Sequence, residues 1–148
     1  MIPLIVLAVL AVAFTVAGRM GVPFAWGWWT SLRMALAGMF LLTASAHWGN
    51  RRPDLIRMVP PVFPKPDLLV TLTGILEILG ALGLLYSYTA RLAAFGLCLL
   101  LLCLFPSNVR AAPEGLTIGG RPVPPLLPRA AIQVVFVAAT VAVVFGAD

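Results

Sequence analysis

Apolar residues in this chain gather into five long blocks, at about 2–18, 30–47, 68–87, 91–105 and 129–146. Each approaches the roughly 20 residues that a helix needs to cross about 30 Å of hydrocarbon, with the fourth falling short. Backbone groups inside a bilayer must be satisfied within their own segment, so the blocks predict helices. The alternating pattern of a membrane β-barrel is absent. The expected fold class is therefore an all-α membrane protein with five transmembrane helices, the first of them the N-terminal helix at about 2–18.

The connections differ in kind. Residues 19–29 carry Trp26, Trp28 and Trp29, an interfacial aromatic cluster. Residues 48–67 hold Arg51, Arg52, Arg57 and Lys65 among Pro53, Pro60, Pro61, Pro64 and Pro66, a density that predicts a stiff, irregular surface segment. Ser87 to Ala90 reads as a tight hairpin turn, and 106–128 as a Pro- and Gly-rich loop turning at Gly119-Gly120.

Composition agrees with a single integral membrane domain over 1–148. Of the 148 residues 61% are hydrophobic and only 10% charged, more apolar surface than a soluble domain of this size can hide. The net charge of +5 comes from arginines scattered between apolar runs, which excludes a nucleic-acid patch. It carries topology instead. Arg51, Arg52, Arg57, Lys65, Arg110, Arg121 and Arg129 fall on one side and Arg19 and Arg91 on the other, with Arg33 just inside. The positive-inside rule then places the N-terminus and the 48–67 and 106–128 loops in the cytoplasm. The N-terminus lacks a basic leader region, so 2–18 reads as a retained helix. Cys98 and Cys103 are five residues apart, off one helical face and outside CxxC spacing, which suits core thiols.

Against this background Glu77 stands out. It lies in Thr73-Gly74-Ile75-Leu76-Glu77-Ile78-Leu79-Gly80-Ala81, near the middle of the third block, where a carboxyl group is costly and needs a partner. Thr73, Gly74, Gly80 and Ala81 share its face, and such small residues admit another helix, so Glu77 points into the bundle. The second block repeats Arg33, Ala37, Phe40, Ala44 and His47 on one side, with Arg33 and His47 about 21 Å apart. The fifth starts at Arg129 and continues through Gln133, Phe136 and Thr140, and the fourth ends near Asn108. His47, Asn108, Arg129 and Gln133 are thus expected to line a polar vestibule. Glu77 would be its floor about 15 Å down, and Arg33 its counter-ion. A bland reading stands beside each of these: a structural buried pair, an interfacial histidine, a helix cap, interhelical glue and a snorkelling arginine. No Walker loop, dinucleotide fingerprint, zinc spacing, CxxCH or Ser-His-Asp arrangement is present, so no metal ligands and no covalently bound cofactor are assigned.

Several stretches together resemble a known family. They are Gly38-Met39-Phe40, Ala46-His47-Trp48, Met58-Val59-Pro60-Pro61-Val62-Phe63-Pro64, Thr73 to Leu85, Arg91-Leu92-Ala93-Ala94, Phe105-Pro106-Ser107-Asn108 and Arg129-Ala130-Ala131-Ile132-Gln133. In this order they are similar to the DoxX-like integral membrane proteins, in the branch with an MVP…P loop and an FPAN-like helix end. The likeness covers about residues 30–145, with Ser107 where Ala is common. It implies a four-helix core over 30–146, a bacterial cytoplasmic (inner) membrane setting and an association with redox complexes. Fold is the firmer part of that implication.

Two functions from different classes follow. One is a non-catalytic accessory, assembly or small apolar ligand-binding component of a membrane complex, with membrane lipids and a protein partner, a homo-oligomer being left open. The other is a subunit of a membrane oxidoreductase that handles quinone or protons through Glu77 and His47, its electron carrier supplied by a partner. Quinone or a lipid-like molecule is the expected ligand class, and whether the chain is itself an enzyme is left open.

Overall fold

A computed structural model describes residues 2–111, 117–118, 120–122 and 124–146. In chain order the elements are α1 (Ile2–Arg19), a single 3-10 turn (Pro23–Ala25), α2 (Trp28–Ser45), α3 (Arg52–Met58), α4 (Pro66–Leu85), α5 (Ser87–Ala111), the strands β1 (Thr117–Ile118) and β2 (Arg121–Pro122), and α6 (Leu126–Gly146). The strands form one small antiparallel hairpin, Thr117 opposite Pro122. Gly120 sits in its turn with φ 73°, while Gly119, the other half of the expected turn, lies outside the described residues.

Among the described residues four helices are long and apolar enough to cross a membrane: α1, α4, α5 and α6. The chain is an all-α membrane protein. The second block of the sequence pattern, α2, is as long as α1 but more polar, and its placement explains why. It packs on α1, α4 and α6, and it buries Leu32, Leu36, Met39 and Phe40 together with Ser31 and Arg33. The other long helices instead turn rows of large apolar residues outward, such as Ile5, Val9 and Val12 on α1 and Leu92, Phe95 and Leu99 on α5. A helix near the centre can carry polar residues because they meet protein.

The helix ends follow local chemistry. Proline occupies the first turn of both α3 and α4, where its missing N–H has no partner to lose. Asp54 and Asp67 lie in those first turns, and Arg57 in the last turn of α3, each complementing the helix dipole. The 48–67 connection is therefore not wholly irregular: Pro53 starts a short helix instead of forbidding one. Two further expectations are corrected. Ser87 to Ala90 is the first turn of α5, leaving Tyr86 alone between α4 and α5. And α5 runs through Pro106 to Ala111, well beyond 105, because proline removes one hydrogen bond without ending the helix when neighbouring helices support it.

Glycine permits the closest helix approaches. A side chain at Gly38 would meet Leu10 of α1, one at Gly80 would meet Leu97 of α5, and one at Gly74 would meet His47 and Trp48, 2.7 Å away. α1 docks chiefly on α2 and the 3-10 turn that follows it.

Gly74→Leu is expected to lower stability by about 1–3 kcal/mol through overpacking against the turn after α2. Gly96→Ala, with no atom within 4 Å of the new methyl, should stay within about 0.5 kcal/mol of the parent. Thermal unfolding of both variants in detergent, followed by circular dichroism, checks the contrast.

Candidate functional site

α2 and α4 run antiparallel, and three contacts set their register: Thr43 against Glu77, His47 against Gly74, and Arg52 against Thr71. Glu77 is 6% exposed and turned into the bundle, on the face of α4 that also buries Val70, Gly74, Ala81 and Leu84. Its Oε2 accepts a hydrogen bond of 2.7 Å from Thr43 Oγ1. The same hydroxyl lies 2.9 Å from the Phe40 carbonyl. Thr43 is the residue that sequence reasoning missed. Its signal was a polar residue in an apolar run, three after Phe40 and four before His47, on the face already picked out.

Arg33 is not the counter-ion of Glu77. Among the described residues neither takes part in an ion pair, the Arg57–Asp54 contact lying in α3. The reason is register: Arg33 precedes Thr43 by ten residues on α2, which is about 15 Å along the axis and out of reach.

His47 lies in the turn just beyond α2, where its Nδ1 is 3.2 Å from the Ala44 carbonyl and its ring packs near Trp48. It is one helical turn from Thr43, as Gly74 is from Glu77, so the imidazole lies about 5 Å farther towards the loop end than the carboxyl. Arg52 pins this turn. It donates to the His47 carbonyl at 2.8 Å, to Thr71 Oγ1 at 2.9 Å and to the Asp67 carbonyl at 3.1 Å. Burial pushes His47 below its ordinary value of 6.5, the nearby Arg52 guanidinium adds to this, and hydrogen bonds to Thr43 and Ala44 oppose it.

The remaining three predicted residues do come together, on α5 and α6. Asn108 Nδ2 donates to Gln133 Oε1 at 2.8 Å. Arg129 donates to Asn108 Oδ1, and Gln133 Nε2 donates to the Leu101 carbonyl. That carbonyl is one residue before Leu102, whose own carbonyl loses its usual N–H partner to Pro106. Asn108 thus sits inside α5 and bridges two side chains of α6, where a helix-end cap was one reading. Arg110 ties the same end to the loop by donating to the Val59 carbonyl. No hydrogen bond among the described residues joins this set to Glu77, Thr43 and His47. The expected single vestibule is thus two separate polar clusters on two helix pairs. Two surface hollows lie apart from both, one of about 400 Å³ beside Gly18, Arg19 and Trp26, the other of about 360 Å³ between α4 and α5. Among the described residues no group of three or more His, Cys, Asp or Glu could hold a metal ion.

A multi-pass helical membrane protein with two buried polar clusters is the class that fold and site define. Residues 36–146 match the family described as a domain of unknown function, DUF8561, and the chain belongs to it. The match begins inside α2, so Thr43, Glu77, His47, Asn108, Arg129 and Gln133 fall within it, and α1 and Arg33 before it. No curated protein and no solved structure matches the chain.

Two outcomes follow from this geometry. Thr43→Val, which removes the hydroxyl facing Glu77, is expected to lower stability by about 0.5–2 kcal/mol, whereas Glu77→Gln, which keeps a polar group of the same shape, should cost less; unfolding midpoints in detergent compare them. For His47, a folded-state value below 6.5 means that the unfolded chain takes up the proton first as pH falls. The stability of neutral His47 is therefore fully present above 6.5 and declines as pH drops from there towards the folded value. The midpoint measured across that range should fall less steeply in His47→Gln than in the parent.

Proposed function

We propose that this chain is a DoxX-like accessory, assembly or small apolar ligand-binding component of a membrane complex, and that it does not itself carry out chemistry. The observation that carries this reading is that five of the six predicted polar residues hydrogen-bond to the protein's own groups. Thr43 meets Glu77, Asn108 bridges Arg129 and Gln133, Gln133 reaches Leu101, and His47 turns back to Ala44. Interhelical bonds of this kind hold a bundle together at about 0.6 kcal/mol each. The positive-inside rule supports an orientation with the loops after α2 and α5 in the cytoplasm of a bacterial inner membrane. The exposed Arg51, Arg57, Val62 and Phe63 of the first loop suit contact with a protein partner or with headgroups.

A second reading, a subunit of an oxidoreductase that handles protons or quinone, has one observation in its favour. Thr43 has a single hydroxyl proton and two acceptors, the Phe40 carbonyl and Glu77 Oε2. All three groups are satisfied together when the carboxyl carries a proton and donates it to Oγ1, leaving the hydroxyl for Phe40. His47, one turn nearer the loops, is a group that could relay such a proton.

Mass spectrometry of lipids extracted from purified wild-type and Glu77→Gln protein separates the two. The accessory reading predicts the same bound lipids from both and unimpaired assembly of the variant. A quinone recovered from the wild type and absent from the variant would overturn it in favour of the second.

A further inference from the structure

Arg33 is 6% exposed, yet among the described residues it has no hydrogen bond, ion pair or ring contact. Every fully enclosed side-chain nitrogen or oxygen among them has a partner, so the unpartnered nitrogens of Arg33 are the part of it that still reaches open space. A guanidinium carries five donors and keeps its charge in any protein setting. With its stem held in the bundle and nothing opposite it among the described residues, its charge and donors are open to an acceptor that arrives from outside.

Its surroundings favour an anion. This is the end of the bundle where α1 finishes, α2 begins, α4 passes into α5 and α6 finishes, as the approaches of Gly18 to Ala25 and of Gly146 to Trp29 show. Arg19 closes α1 there and Arg91 lies in the second turn of α5. The described acids all lie elsewhere: Asp54 in α3, Asp67 at the opposite end of α4 and Glu77 against Thr43. Trp26, Trp28, Trp29, Tyr86 and Tyr88 are exposed around the same end, a girdle that marks the headgroup level of a membrane, where phosphate groups lie.

We infer that Arg33 is the centre of a binding site for a phosphate-bearing anion at this end of the bundle. The planar guanidinium donates two parallel hydrogen bonds to phosphate oxygens, and the positive charge of Arg19 at the same end assists. The phosphate comes from a phospholipid headgroup or from free inorganic phosphate, and the ligand chemistry is the same for both. The site is independent of the Glu77 reading, since it lies at the other end of α2.

The test uses the full chain in nanodiscs of phosphatidylcholine alone or mixed with equal parts of phosphatidylglycerol, with retained lipid counted by native mass spectrometry. In parallel the unfolding midpoint in detergent is titrated with inorganic phosphate against chloride at equal ionic strength. Wild type should retain phosphatidylglycerol selectively or be stabilised by phosphate, the first identifying a headgroup and the second a free anion. Arg33→Gln should lose at least about tenfold in whichever response is seen, and Arg33→Lys less, since a point charge replaces a bidentate fork. Should Arg33→Gln fail to fold, the wild-type titration decides alone. A wild type with neither preference overturns the site, as does undiminished binding by Arg33→Gln. Equal destabilisation by Arg33→Gln and Asp148→Asn with no change in binding also overturns it, because Arg33 would then be answered by a carboxylate of its own chain.

Discussion

A carboxyl group in the middle of an apolar helix has to be met by a polar group from another helix, and the Thr43–Glu77 hydrogen bond is that meeting. Much of the architecture follows from it. The bond sets α4 in register with α2, which brings Gly74 beneath His47 and Trp48 and lets Arg52 reach Thr71 and Asp67. A slip of one turn away from the loop end would set Glu77 against Met39 or Phe40 and strand both the carboxyl and the arginine. Apolar packing alone specifies such a register weakly between helices whose outer faces are equally greasy, so buried polar pairs carry the specificity.

The pattern of apolar blocks was enough to place five long helices, the inward face of α4 and the buried stripe of α2 running from Arg33 to His47. Those features depend on periodicity and on hydrocarbon thickness, both of which are local. What periodicity cannot supply is the axial offset between helices. Arg33 and Glu77 were natural partners by charge, but the offset between α2 and α4 puts a threonine opposite the carboxyl. The same limit explains why His47, Asn108, Arg129 and Gln133 were expected around one vestibule. Depth along the helix axis is readable from residue counts, whereas the lateral arrangement of four helices is not, and here it divides the polar groups between two helix pairs. Helix ends were read too cautiously at proline: Pro53 begins α3 and Pro106 lies within α5.

The two ends of the bundle are chemically unlike. One holds the satisfied clusters, the described acids and the loops after α2 and α5; the other holds Arg19, Arg33 and Arg91 within a girdle of tryptophan and tyrosine. The family match covers residues 36–146 and thus both hydrogen-bonded clusters, while Arg33 and α1 precede it. The polar contacts between helices therefore lie within the matched segment, and the arginine-rich end draws partly on residues that precede it.

The single residue between α4 and α5 has a mechanical consequence. With only Tyr86 joining them and Gly80 and Gly83 seated against Leu97 and Ala93, the two helices form one stiff hairpin, closed at the aromatic end and open at the loop end. Each leg is clasped to the rest of the bundle, α4 to α2 at mid-length by Thr43 and Glu77, α5 to α6 near its free tip by Asn108 and Gln133. The hairpin is thus a pair of tweezers with its hinge at one membrane face, one catch at mid-depth and the other towards the opposite face. Swinging it away from the bundle as a unit requires both catches to part together, so the two clusters, which share no bond, are coupled by the stiffness of the arm between them.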